Sequence, residues 1–138
     1  MIEISVPTAH QIIELNKFIC RESGSSHHCY DPGKLESAIH TALYPGSYPF
    51  AAGGLAKVAA ALCFYIVKGH PFMDGNKRTG TLAAIIFLNE NGWDLKYPIH
   101  KKKGINALAS TIEKCAAGKI GKEDLMLWFE NHKIKLTQ

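Results

Sequence analysis

An all-α protein of about six helices is the fold class this sequence predicts, and three observations predict it. Apolar residues recur at helical rather than alternating spacing along most of the chain. Two helix starts are spelled out in capping residues: Thr8 with Gln11 three positions on, and Asp31 followed by Pro32. No segment offers a convincing strand alternation or hairpin pattern. With 138 residues, 46% hydrophobic and 20% charged, the chain suits one soluble domain, residues 1–138, with its own core.

The elements follow in order. After the capping box, Ile12, Leu15, Phe18 and Ile19 mark the apolar face of a first helix. "GSSHHCY", Gly24 to Tyr30, reads as a loop. Leu35, Ala38, Ile39, Ala42 and Leu43 form the stripe of a second helix behind Asp31. Two prolines and several glycines in "PGSYPFAAGG" break the pattern and leave Tyr48 and Phe50 as exposed-looking aromatics on a loop or short hairpin. Leu55 to Lys68 is apolar nearly all round, which predicts a central, buried helix, and Asn76 to Asn89 is a second such helix, ended by Gly92. "WDLKYP" is extended or loop. Ile105, Leu108, Ile112 and Cys115 mark a fifth helix closing near Gly118, with Lys101 to Lys103 as its solvated start; Leu125, Trp128 and Phe129 mark the last, the two aromatics in the core.

Between the two most apolar helices lies "HPFMDGNKRTG", residues 70 to 80. Its position makes it chemically suggestive. The start of a helix offers unpaired N–H groups and the positive end of the dipole, an anion site. Gly75 lets backbone amides approach a phosphate closely. Lys77 and Arg78 stand on the first turn, where cations are unfavourable unless an anion offsets them. Asp74 is placed to hold Mg²⁺ beside that phosphate. His70 has the unperturbed pKa nearest neutrality, which makes it the candidate general base. Phe72 is a hydrophobic anchor for the loop. Lys68, two residues before His70, is either a further phosphate contact or a helix-end lysine reaching solvent. A P-loop does not fit: Gly69 and Gly75 are one residue too far apart, Asn76 separates Gly75 from Lys77, and the preceding segment is helical.

These residues resemble the signature of the Fic/Doc family, H-x-F-x-[DE]-G-N-[GK]-R. The likeness extends to the capped first helix, to "YDPGKLESAI", to the "GH" before the motif and to "FLNENG" after it, which together resemble the small Doc (death-on-curing) branch. The resemblance implies an all-α core, a catalytic loop between two central helices, Mg²⁺ and ATP as cofactors, and transfer of a phosphate-containing group to a hydroxyl of a target protein. It gives His70 the role of base, Phe72 that of anchor and Asp74 that of Mg²⁺ ligand. Gly75 and Asn76 become anion-hole elements, and Arg78 becomes the phosphate-binding arginine. Two positions depart from the AMP-transferring pattern: Lys77 stands where that pattern has glycine, and Thr81 where it has a second arginine. Both departures resemble the Doc branch, whose members are associated with phosphorylation of a translation elongation factor. A lysine there crowds the space a glycine leaves and supplies charge to the transferring phosphoryl group. Tyr48 and Phe50 are candidates for the flap that docks the target in this family. The family's self-restraining members carry [S/T]-x-x-x-E, and no Ser or Thr of this chain has Glu four residues later. An antitoxin acting in trans is therefore expected.

Three functions are consistent with the sequence: a Doc-like phosphotransferase toxin, an AMP-transferring Fic enzyme, and an idle binding protein that keeps the fold. Intact His70, Asp74, Asn76 and Arg78 argue against the third. The net charge of +4 is too small to point to nucleic acid by itself. His27, His28 and Cys29 lack a second ligand cluster and read as a polar loop rather than a metal site. Four scattered cysteines without a C-x-x-C pair, no signal-like start, and a longest apolar run of only Val58 to Val67 predict a cytoplasmic protein without a membrane span.

Overall fold

The computed structural model describes residues 4–44, 54–100 and 105–136. Six α-helices run through them: α1 (Ala9–Ser23), α2 (Pro32–Leu43), α3 (Leu55–Gly69), α4 (Asn76–Glu90), α5 (Ala107–Ala116) and α6 (Lys122–His132). The predicted starts are present as drawn. Thr8 Oγ1 accepts from Gln11 N–H at 3.1 Å, while Gln11 Oε1 accepts from Thr8 N–H at 2.9 Å. Asp31 Oδ1 accepts from the N–H groups of Gly33 and Lys34 at 3.0 and 3.3 Å, with Pro32 at the first helical position.

The reason α3 is apolar all round lies in its place. It packs against α2, α4, α5 and α6. Val58, Ala59, Cys63 and Val67 join a core shared with Phe87, Leu88, Leu125 and Phe129, whereas Ala61, Leu62 and Ile66 join a second core with Ile12, Leu35 and Phe72. Helix α4 packs tightly against α3 at Gly80. A Cβ there would lie 3.1 Å from both the Cys63 carbonyl oxygen and Val67 Cγ2. Among the described residues no helix is long and apolar enough to cross a membrane.

Some expectations change. On α1 the buried face runs through Ile12, Asn16, Ile19 and Cys20, and Phe18 is 55% exposed. The spacing i, i+4, i+7, i+8 is the true helical stripe, and Phe18 falls off it. Short strands exist: β1 (Trp93–Leu95) pairs antiparallel with β4 (Lys133–Lys135), and β2 (Ile99–His100) with β3 (Ile105–Asn106). At two or three residues each, they are too short to print an alternating pattern. Helix α5 begins at Ala107 rather than near Ile105, because Asn106 is extended and its Oδ1 caps the Ala109 N–H at 2.7 Å. Phe129 is core, as expected, while Trp128 is half-buried and stacks on His132 at 3.8 Å. Tyr48, Phe50 and Lys101 to Lys103 lie outside the described residues.

Candidate active site

The connection from α3 to α4 is gripped from two sides. His70 ends α3 in the left-handed conformation, φ 48°, the single non-glycine residue with positive φ among those described. Such a backbone costs a non-glycine residue about 1–2 kcal/mol, so surrounding contacts must impose it. They are visible in the next residues. Phe72 is 1% exposed and sits in the core with Ile12, Leu35 and Leu62. The segment after α1 lies alongside as a strand-like partner: Tyr30 N–H donates to the Pro71 carbonyl at 2.9 Å, and Met73 N–H to the His28 carbonyl at 2.8 Å.

Asn76 is buried, and its amide closes the loop on itself. Oδ1 accepts from Phe72 N–H at 3.0 Å and Nδ2 donates to the Phe72 carbonyl at 2.8 Å. Both partners are backbone, so the amide's orientation is settled. Nδ2 also lies 3.3 Å from His70 Nδ1, which can therefore only accept from it. In the neutral ring held this way the proton sits on Nε2, and taking a proton at Nε2 requires the ring to leave this contact.

Gly75, with φ 76°, precedes α4, and no side chain caps the helix start. The first-turn N–H groups of Asn76, Lys77 and Arg78 therefore have no intrahelical partner. Gly75 N–H is taken by Asp74 Oδ1 at 2.8 Å. A Cβ on Gly75 would lie 3.1 Å from Asn16 Nδ2 and 3.4 Å from Ile19 Cγ2, so glycine is required by conformation and by space alike.

The helix start opens into a cleft of about 1030 Å³. His70, Asp74, Gly75, Asn76, Lys77 and Arg78 line it, together with the apolar Leu82, Ile85, Tyr97, Leu108 and Ile112. Five of the residues expected to do chemistry thus meet: His70, Asp74 and Arg78 are exposed at the cleft, Gly75 and Asn76 frame its floor. Lys77 meets them too, but its Nζ lies 2.6 Å from Glu113 Oε1 on α5. One of the two first-turn cations is thereby offset within the protein, and Arg78 alone keeps its charge free of any ion pair among the described residues. Thr81 lines the same wall and spends its hydroxyl on the Lys77 carbonyl at 2.7 Å. Lys68 is exposed at the end of α3 and is not among the lining residues.

Sequence reasoning missed Glu113, which has no local signal tying it to Lys77 36 residues away. It also missed Asn16 and His27. The helical spacing of Asn16 with Ile12, Ile19 and Cys20 was the available signal. His27 donates from Nδ1 to Asn16 Oδ1 at 2.7 Å, and burial, then the nearby Lys17, hold its pKa below the usual 6.5. Among the described residues no group of three or more His, Cys, Asp or Glu side chains could hold a metal. Asp74 is the carboxylate that reaches the helix start, a donor suited to a metal shared with substrate phosphates, where the protein supplies one or two ligands.

A family model described as the Fic/DOC family matches residues 6–88, from the residues before α1 to the end of the buried part of α4. No curated protein matches the chain.

Proposed function

This chain belongs to the Fic/DOC family, whose members are in general protein-modifying transferases that use a nucleoside triphosphate with a metal, and we propose that it moves the γ-phosphate of ATP to a hydroxyl of a target protein. The observation that carries this reading is the uncapped start of α4, with His70, Asp74 and Arg78 exposed around it in a cleft that also has apolar lining. Phosphate oxygens suit the free N–H groups of Asn76, Lys77 and Arg78, and the guanidinium adds a forked, permanent cation. The apolar lining residues, Tyr97 among them, suit the flat faces of a nucleobase. Mg²⁺, held by Asp74 and the phosphates, would neutralise charge that develops as the phosphoryl group transfers. His70 would take the proton of the acceptor hydroxyl once its ring leaves Asn76 Nδ2. The resemblance to the small Doc branch further supports a toxin that modifies a cytoplasmic target, a translation elongation factor among the candidates. The lack of [S/T]-x-x-x-E anywhere in the sequence supports restraint by an antitoxin in trans.

One observation favours a second reading, transfer of AMP. With Lys77 turned to Glu113, its side chain does not crowd the first turn, which leaves room much as a glycine would. The test is incubation with Mg²⁺, cytosolic proteins and ATP labelled at the α or the γ position. The expected result is γ label on the target and a gain of about 80 Da, the mass a phosphoryl group adds. His70→Ala should lower the rate roughly 10²- to 10⁴-fold and still bind nucleotide. Asp74→Ala should lose the Mg²⁺ dependence of nucleotide binding. α label on the target would establish the AMP reading instead, and no label with either would overturn both.

A further inference from the structure

Asn16 lies wholly buried on α1, in a stripe otherwise made of Ile12, Ile19 and Cys20. A buried amide is costly unless its hydrogen-bonding capacity is met. Here it is met four times. Nδ2 donates to the Asp74 carbonyl at 2.9 Å and to Thr79 Oγ1 at 3.0 Å. A carbonyl only accepts, so the amide's orientation is not ambiguous. Oδ1 therefore faces His27 Nδ1 at 2.7 Å and the Cys20 thiol at 3.6 Å, and His27 must carry its hydrogen on Nδ1.

The two Nδ2 bonds straddle Gly75. Asp74 O belongs to the peptide that leads into it, and Thr79 is the residue whose N–H makes the first helical bond of α4, to the Gly75 carbonyl at 2.8 Å. Gly75 itself rests against Asn16, where a Cβ would come within 3.1 Å of Nδ2. One side chain from a separate helix thus holds the peptide before the anion site and the turn after it. We propose that Asn16 is a positioning residue: through Asp74 O and Thr79 it sets the direction of the open N–H groups of residues 76–78 relative to His70. This rests on the transfer reading above. Asn16 is not among the residues lining the cleft and touches no reacting atom, so its effect passes entirely through those partners. An apolar side chain of the same size would fill the space but leave the Thr79 hydroxyl and the His27 N–H without this partner, and the Asp74 carbonyl with only the weak Cys20 thiol at 3.8 Å.

The test compares Asn16→Leu, Thr79→Val, Thr79→Ser and the double variant Asn16→Leu/Thr79→Val, each checked for cooperative unfolding. Misplacing a reacting group by about 1 Å costs roughly 10²-fold in rate. Asn16→Leu is therefore expected to lose kcat by one to two orders of magnitude, while the Kd for Mg-ATP changes by less than about threefold. Thr79→Val should reproduce part of the loss, Thr79→Ser should restore it, and the double variant should lose less than the product of the two. In the nucleotide-free protein, amide hydrogen exchange of residues 76–78 should speed up in Asn16→Leu and Thr79→Val. A folded Asn16→Leu with wild-type kcat, multiplicative losses, or unchanged exchange would overturn the proposal. If Asn16→Leu does not fold, Thr79→Val with wild-type kcat and exchange does the same. A wild-type protein that transfers neither label sinks the transfer reading, while the exchange measurement still decides the positioning.

Discussion

Replacing Gly75 by alanine should damage this protein more than the loss of one hydrogen atom suggests, and two other glycines allow the reasons to be separated. Gly75 is left-handed, φ 76°, and an added Cβ would meet Asn16 Nδ2 at 3.1 Å, Ile19 Cγ2 at 3.4 Å and Cys20 Sγ at 3.7 Å. Gly92 is also left-handed, φ 87°, but an added Cβ meets nothing within 4 Å. Gly80 has ordinary helical backbone, yet its Cβ would meet the Cys63 carbonyl and Val67 Cγ2 at 3.1 Å. The conformational cost of a left-handed alanine is about 1–2 kcal/mol, partly offset by about 0.4–1 kcal/mol from the stiffened unfolded chain. Gly92→Ala should therefore cost about 1 kcal/mol. At Gly75 the nearest obstacle cannot move without stretching its bonds to Asp74 and Thr79, each contributing about 0.5–1.5 kcal/mol, so the total becomes about 2–4 kcal/mol. Gly80→Ala sets a helix-propensity gain of about 1 kcal/mol against about 1–3 kcal/mol of overpacking between α3 and α4. At this chain length 1 kcal/mol shifts the melting temperature by about 4 °C, so Gly75→Ala should melt about 8–16 °C below wild type. Urea unfolding followed by circular dichroism, with equal slopes required for comparison, measures all three. If Gly75→Ala proves no less stable than Gly92→Ala, the close approach of Asn16 to the helix start is wrong, and the positioning argument loses its geometric basis.

Two further outcomes are expected. Burial, and then the neighbouring Cys115 thiol, push the Cys63 pKa from 9.0 to about 12. The unfolded chain then releases the Cys63 proton first, so the Cys63 contribution to stability is constant below pH 9 and falls as pH rises towards 12, by at most about 1.4 kcal/mol per unit. Cys63→Ala should flatten that fall in urea midpoints measured across the range, and an unchanged slope would refute the assignment. Glu113→Gln should release Lys77 from its 2.6 Å contact and remove a carboxylate from the cleft wall. An exposed ion pair contributes about 0–1 kcal/mol, so Mg-ATP should bind up to about fivefold more tightly, and less so at high salt. Calorimetric titration showing unchanged affinity at low salt would mean that Lys77 does not serve the nucleotide.

Much of this was legible in the sequence where the signal is local. Thr8–Gln11 and Asp31–Pro32 each specify a helix start within four residues, and the structure uses both. That His70 to Arg78 gather at one helix start was legible because they are near neighbours in sequence. What escaped was set by contacts far apart in the chain. Asn16 meets Thr79 across 63 residues and Lys77 meets Glu113 across 36, and no spacing rule reaches that far. Phe18 was misplaced because hydrophobicity was weighed above phase: Asn16, four residues after Ile12, is in phase with the core, and a polar residue on a buried stripe was itself the clue. The strands escaped because pairs of two or three residues are decided by where the helices leave the chain ends.

The placing of the densest polar cluster between the two greasiest helices has a physical reason. A helix start attracts an anion only as well as its N–H groups are aimed, and aim is lost if the helix can rock. Helix α3 is buried almost all round. Helix α4 buries one face and leaves Lys77, Arg78, Ile86, Asn89 and Glu90 exposed, rather than being apolar all round as its sequence suggested. Its packing along the buried face restricts that freedom. The residues of the cluster then divide by direction. Phe72, Asn76 and Thr79 turn inward and are buried, the polar ones hydrogen-bonded, and among the described residues no buried side-chain nitrogen or oxygen lacks a partner. His70, Asp74 and Arg78 turn outward, where they stay exposed to whatever enters the cleft. The inward group includes the amide that holds His70 Nδ1, so aim and chemistry are joined at one hydrogen bond. Substitutions of the inward set should therefore lower stability and rate together, while those of the outward set should lower rate at nearly constant stability. That contrast separates holding from acting without any knowledge of the target.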